Sequence, residues 1–406
     1  MGPKTGMWQP ILDGKLAEDA RQAVIDIARA IARGDGHPPK LTDAALFWAY
    51  VAGALDDDWV AASYDDAIAA LGEHAARGFD DTSLYYGVAG VGFAIAHVSE
   101  PGTVEDSLRV IDELIAQALA VDRWTGSYDL ISGLVGIGVY LLERGNAPSA
   151  RQALDRLVGH LIASSESTPD GVAWYTPPEL LPPNQRAAWP DGNFNCGLAH
   201  GVPGVAALLG RVAILPDADP RHRTLAEATL RWVVAQQLPP NDRNRYPTWL
   251  GRGTTGTPTR TAWCYGDPGV AIATLGASTR LGLSTVDALA LARESASRPF
   301  ESCGVEDAGL CHGAAGLAHI FNRCFQASGE PALRDAARTW FQRALDMRRP
   351  DGVGGFLAWA VSADNVRAWV PTTSLLEGPT GIALALLGAL EPTEPSWDRL
   401  LLCDLP

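Results

Sequence analysis

Three short stretches concentrate the reactive side chains. Asn195-Cys-Gly-Leu-Ala-His200-Gly201 ends in an imidazole, Arg260-Thr-Ala-Trp-Cys264-Tyr265-Gly266 holds a thiol and a phenol, and Cys311-His312-Gly313 sets a thiol beside an imidazole. A thiol followed 47 residues later by a thiol–imidazole pair suits zinc, which takes tetrahedral sulfur and nitrogen ligands. Three protein ligands would leave the fourth position for water or substrate. The spacing is no general zinc motif, and two buried cysteines with a capping histidine would also account for it. His200 reads either as a hydrogen-bonded structural group or as a general acid or base. Asp129, in Tyr128-Asp-Leu-Ile-Ser-Gly133, reads as a turn cap or a functional acid. Arg260 is a surface cation unless its segment folds back toward Cys264. His319 and Cys324 read as core or back-side residues, and Cys196 and Cys303 as free thiols.

The elements that position these residues follow from a repeat. A Gly-x-x-Gly pair leading into an apolar run occurs at Gly87, Gly133, Gly201, Gly266, Gly313 and Gly378, with start-to-start spacings of 46, 68, 65, 47 and 65 residues. Among 42 glycines one such pair means little, but six in matched context define a repeat. Each run, such as Gly133–Leu142 or Gly378–Leu387, is apolar nearly all round and predicts a buried helix. Glycine there permits a sharp turn and close helix approach. The helix starts are expected to leave their first N–H groups bare, a polar and mildly positive rim. The reactive residues stand just before the glycines, so they are expected to gather at one end of the helices.

Between the runs lie amphipathic segments. Thr103, with Asp106 in a capping box, introduces Leu108, Ile111, Ile115 and Leu119 on one face. Ser284 with Asp287, and Pro331 before Leu333 and Trp340, follow the same grammar, and Leu154, Leu157, Val158 and Leu161 form another stripe. Residues 16–31 and 42–55 supply one more amphipathic–apolar pair. Seven amphipathic and seven buried helices predict an all-α fold, an α,α-toroid with apolar helices inside, as a single domain over residues 1–406. An open solenoid would expose the inner helices. Two Pro- and Trp-rich connectors, 164–195 and 238–261, are expected to form ordered loops or short hairpins over one mouth.

Composition narrows the function. The chain has 406 residues, 47% hydrophobic and 19% charged, with a formal net charge of −15. Such a surface repels phosphate backbones, which argues against nucleic acid, and attracts a basic peptide. No signal sequence or span of about 20 apolar residues is evident, and the six cysteines include no CxxC pair. A reducing, cytoplasmic setting is expected, with peripheral association to a membrane-side complex allowed. A toroidal glycosidase would need paired carboxylates at the mouth, where His, Cys and Tyr stand instead.

Taken together, Trp-Cys264-Tyr265-Gly, Cys311-His312-Gly and Asn195-Cys-Gly-Leu-Ala-His200-Gly closely resemble the lanthionine synthetase C family, the lantibiotic cyclases, over about residues 80–390. The resemblance implies an α,α-toroid with one zinc ion at a mouth, held by Cys264, Cys311 and His312 with water or a substrate thiolate in the fourth position. It implies His200 and Asp129 as acid/base residues, with Arg260 and Tyr265 in the substrate pocket. Cys196 and Thr261 depart from the family, which more often has an aliphatic and an acidic residue there. The implied reaction adds a cysteine thiol of a dehydrated precursor peptide (leader plus core) across dehydroalanine or dehydrobutyrine. A dehydratase and a transporter are implied partners, and a stand-alone cyclase is expected. The same chemistry with glutathione, and a non-catalytic zinc-containing peptide scaffold, are the competing readings.

Overall fold

The computed structural model describes residues 8–240, 244–361 and 366–406. Its helices begin with α1 (Gly14–Ala32), α2 (Leu41–Ala54), α3 (Asp58–Ala75), α4 (Val88–Val98), α5 (Glu105–Ala118), α6 (Leu134–Glu143) and α7 (Pro148–Ser164). They continue with α8 (Pro183–Ala188), α9 (Val202–Val212), α10 (Pro220–Ala235), α11 (Asp267–Leu281), α12 (Val286–Ala296), α13 (Ala314–Ser328), α14 (Pro331–Asp346) and α15 (Pro379–Leu390). Apart from the short α8, apolar and amphipathic helices alternate as expected. In α15 every residue is buried. In α5, Leu108, Ile111 and Ile115 are buried while Glu105 and Asp106 face water. The capping grammar did not single out α3 or α10; α3 buries only Val60, Ala67 and Leu71.

The described chain divides into two compact units. One comprises residues up to His74 with Ala292–Trp397; the other comprises Ala75–Leu291 with Asp398–Pro406. In the second unit the apolar helices pack in succession, α4 on α6, α6 on α9 and α9 on α11, and α5, α7 and α10 lie against them. In the first unit α13 packs on α15 and α15 on α2, with α14 and α1 behind. No helix among the described residues is long and apolar enough to cross a membrane.

The connectors are ordered. In the second unit β1 (Glu166–Thr168) pairs with β2 (Gly171–Ala173), and β3 (Tyr175–Thr176), β4 (Asn193–Asn195) and β5 (Trp249–Leu250) form an antiparallel sheet in the order β3-β4-β5. The sheet thus joins the two expected connectors, and β4 ends at the first residue of the His200 stretch. In the first unit β6 (Ala358–Val361) pairs with β7 (Arg367–Val370).

Every Gly-x-x-Gly pair starts an apolar helix, but the first N–H groups are not bare. Before α6, the N–H groups of Leu134, Val135 and Gly136 donate to the carbonyls of Ser127, Tyr128 and Asp129. Before α13, those of Ala314, Ala315 and Gly316 donate to Asp307, Ala308 and Gly309. The loops leading into α6 and α13 therefore fold back over the first turn of each helix and satisfy donors that would otherwise be orphans. Hence the glycines: a Cβ on Gly136 would stand 2.2 Å from the Leu130 carbonyl oxygen, and one on Gly316 1.9 Å from that of Leu310. Thr103 also departs from expectation. The helix begins at Glu105 with no side-chain cap, and the Thr103 hydroxyl donates to the Glu100 carbonyl instead.

Candidate active site

The lead-in loops share one design. Six residues before the first glycine of the pair stands a side chain whose oxygen accepts the N–H two residues on. Asp81 takes Ser83, Ser127 takes Asp129, Asn195 takes Gly197, Asp307 takes Gly309 and Thr372 takes Ser374. These turns stiffen each loop locally. Neighbouring loops are then stitched by main-chain bonds. In the second unit Tyr85 N–H donates to Ile131 (3.3 Å), Leu130 to Ala199 (3.1 Å) and Ala199 to Cys264 (3.4 Å). In the first, Cys311 donates to Leu376 at 2.7 Å. Rigid apolar helices and stitched loops hold the residues ahead of the glycines in register.

The loop before Gly266, fourth in chain order, is the exception, and it carries Arg260 where the others carry a turn-forming oxygen. Asn244, fully buried, takes over that work. Its Nδ2 donates to the Thr259 carbonyl (2.8 Å) and to Thr261 Oγ1 (3.1 Å), and its Oδ1 accepts the Asp267 N–H at 3.2 Å. Asp267, also buried, accepts the N–H groups of Arg245 and Tyr246. The second connector is thereby latched to the start of α11, which relieves the side chain at position 260 of a capping duty. Thr261, also buried, is part of that latch.

Three of the expected site residues meet in the second unit, beside Cys264. His200 Nδ1 lies 2.7 Å from Asp129 Oδ2, while Asp129 Oδ1 accepts the Ser132 N–H at 2.8 Å. The imidazole side chain is 40% exposed and the carboxylate 9%, so a peptide can reach the ring but not the acid behind it. Burial pushes the His200 pKa down, but the hydrogen bond and charge of Asp129, with the charge of Cys264, outweigh it and hold the imidazole above its ordinary value. The Tyr265 ring stacks on His200 at 6.1 Å between centroids and meets Trp249 edge-on at 6.0 Å. Its hydroxyl oxygen accepts from Asn195 Nδ2 at 3.1 Å. Arg260 is half-buried, its carbonyl against Gly266. Cys264 is buried at the foot of the same loop.

In the first unit Cys311 is half-buried, and the His312 side chain is 12% exposed with Nε2 3.9 Å from Asp307 Oδ2. Asp307 itself is buried and accepts the Trp359 N–H at 2.8 Å, tying β6 to the loop. His319 and Cys324 lie in the core as expected, His319 against the Trp397 ring. Burial pushes the Cys324 thiol up to about 12 and raises that of Cys196 still further, so neither is a ready nucleophile.

Sequence reasoning missed Asn195, Asn244, Trp249, Asp267 and Asp307. Aligning the six repeats on their glycines would have exposed Asn195 and Asp307, which share one register position. Nothing local marks Asn244, Trp249 or Asp267, whose partners are distant in sequence.

A family model described as lanthionine synthetase C-like protein matches residues 44–402. The chain is similar to the nisin biosynthesis protein NisC of Lactococcus lactis subsp. lactis, with 26% identity over 267 residues. That match covers 59% of this chain and 61% of the relative, so it spans less than two thirds of the relative's length. Among solved structures the chain is similar to a nisin cyclase, with a TM-score of 0.71 and 19% sequence identity over 88% of this chain and 89% of that one. The likeness bears out the expected fold class, the all-α α,α-toroid.

Proposed function

The chain belongs to the lanthionine synthetase C-like family, and on that premise we propose that it is a peptide cyclase, closing lanthionine or methyllanthionine thioether rings in a dehydrated precursor peptide. The observation that carries the reading is the Asp129–His200 pair, set one stitched loop away from Cys264. The reading takes residues 1–406 as one cyclase domain, and the net charge of −15 favours capture of a basic peptide.

The donor set supports zinc as the cofactor. Cys264, Cys311 and His312 offer two thiolates and an imidazole, ligands that zinc takes in tetrahedral sites, and three of them leave one position for substrate. A zinc ion held there would supply a thiolate at neutral pH from a peptide thiol whose ordinary pKa is about 8.5.

The chain's own residues account for the rest. The peptide sulfur bonds to the β-carbon of the dehydro residue, and the displaced π-electron pair moves onto the carbonyl oxygen. Arg260 stabilises that charge as an oxyanion partner. Asp129 engages His200 Nδ1, which leaves Nε2 to deliver a proton to the α-carbon and set its configuration. A raised pKa keeps more of the imidazole in the proton-donating form near neutrality. Product and substrate have equal mass, because the thiol's proton is returned through the acid/base pair.

The test is mass spectrometry of a dehydrated precursor incubated with the protein, with thiol alkylation to count free cysteines. Loss of alkylatable thiols at unchanged mass supports cyclisation. Addition of a glutathione mass when that thiol is supplied identifies the intermolecular reaction, and no change identifies a scaffold.

A further inference from the structure

The first unit carries an open groove of about 680 Å³ between the C-terminal half of α1 and the loop that follows α14. Arg29, Arg33, Arg348 and Arg349 line it together with Asp26 and Asp35, so four guanidinium groups face two carboxylates. The excess is positive, on a chain whose net charge is −15. Arg348 Nη2 meets Asp26 Oδ2 at 2.6 Å, and the glycine loop passes so close that a Cβ on Gly355 would stand 2.8 Å from Arg348 Nε. Arg349 lies over the Trp369 ring, 4.9 Å from its centroid. Arg33 pairs with Asp35 at 2.6 Å, and Arg29 is exposed and reaches Asp26 by charge. Exposed pairs of this kind hold little free energy, so a carboxylate from outside can exchange for Asp26 or Asp35. Guanidinium groups take carboxylates in a two-point fork.

Two sets of contacts tie the groove to the loop that carries Cys311 and His312. Just beyond Asp35, His37 N–H donates to the Pro371 carbonyl at 3.2 Å, and the His37 carbonyl accepts from Thr373 Oγ1, in the loop that leads into α15. The Leu376 carbonyl of that loop accepts the Cys311 N–H at 2.7 Å. On the other side, Trp369 packs on Trp359 with 5.2 Å between centroids, and Trp359 N–H donates to Asp307.

We propose that this groove docks an acidic segment of the substrate peptide, whose aspartate and glutamate side chains exchange for Asp26 and Asp35 on the four arginines. The inference rests on the thioether reading and adds a place, outside the reacting site, where the peptide is held. A groove of this volume, with its cations supplied by two separate segments, fits several residues of chain and exceeds what one phosphate would fill. The negative charge elsewhere draws the basic parts of the same peptide, so the two fields together favour a peptide of mixed charge.

Fluorescence anisotropy of a labelled Glu-Gly repeat peptide on the full chain tests the docking without turnover, with a Gln-Gly peptide as the neutral comparison. The Glu peptide should bind, more weakly as salt rises, and the Gln peptide should not. Arg29→Glu with Arg33→Glu should weaken binding by about tenfold or more. Arg29→Gln with Arg33→Gln, which removes charge without reversing it, should weaken it less. Arg21→Glu, exposed on α1 and outside the groove, alters the net charge by the same amount as the glutamine pair and should leave the affinity as it was. In cyclisation assays the glutamate pair should raise KM for a precursor with an acidic segment. Equal affinity for both peptides, an affinity that Arg21→Glu lowers as much as the glutamine pair does, or an unchanged KM would overturn the proposal. So would inorganic phosphate bound by the groove with the Glu peptide left unbound. Absence of turnover in the wild type, with the arginine variants still weakening the Glu peptide, would instead remove the cyclase reading and leave the docking site standing.

Discussion

His200 Nδ1 meets Asp129 Oδ2 at 2.7 Å although 71 residues separate them in the chain. Two lead-in loops, stitched through Leu130 N–H and the Ala199 carbonyl, bring them together. Asp129→Asn keeps the oxygen that caps Ser132 and removes the charge that holds the imidazole. It should lower kcat on the order of 10²-fold and shift the acidic partner's limb of the pH–rate profile to lower pH. Steady-state cyclisation across pH checks both.

The same pair makes a prediction about stability. The folded imidazole has a pKa above its ordinary value of 6.5, so its contribution is fully present below that pH and is lost as pH rises through the folded value. The gap in melting temperature between wild type and Asp129→Asn should therefore be wider near pH ~6 than near pH ~9. A gap that widens on the alkaline side would contradict the assignment.

The glycines of the repeat should be intolerant for steric reasons. A Cβ on Gly204 would stand 2.4 Å from the Leu198 carbonyl oxygen, within the loop that carries His200. Gly204→Ala should cost roughly 1–3 kcal/mol and slow cyclisation by moving that loop. Gly159, inside α7, has nothing within 4 Å of its Cβ position. Gly159→Ala should stabilise by about 0.5–1 kcal/mol with activity unchanged, and denaturant titration compares the two directly.

Behind α6, the fully buried Asp112 accepts from Tyr140 Oη at 2.6 Å, from Ser149 Oγ at 2.7 Å and from the Arg144 guanidinium. Asp112→Ala leaves Arg144 and the Tyr140 hydroxyl without this acceptor and should cost about 3–5 kcal/mol, read as a drop in denaturation midpoint.

Much of this design is written locally. The apolar runs after Gly87 through Gly378 announce buried helices because no polar face interrupts them, and Pro331 marks the start of α14 as its fixed φ dictates. The reactive positions were legible because they stand at one place in the repeat. The Thr103 cap failed because its hydroxyl found a nearer carbonyl, Glu100. The expectation of bare helix starts failed at α6 and α13 because a glycine lets the preceding loop's carbonyls approach closely enough to accept those N–H groups, an effect of folding back that no single window records. The latch of Asn244 and Asp267 depends on tertiary approach and leaves no periodic trace.

The most direct test of the account is zinc titration into chelator-treated protein, with the rate of thiol loss from a dehydrated precursor as readout. We expect activity to be absent without metal, to rise in proportion to zinc up to one equivalent per chain, and to stay absent when Cys264, Cys311 or His312 is replaced by alanine. Full cyclisation by the metal-free protein, or by any of those three variants, would contradict it.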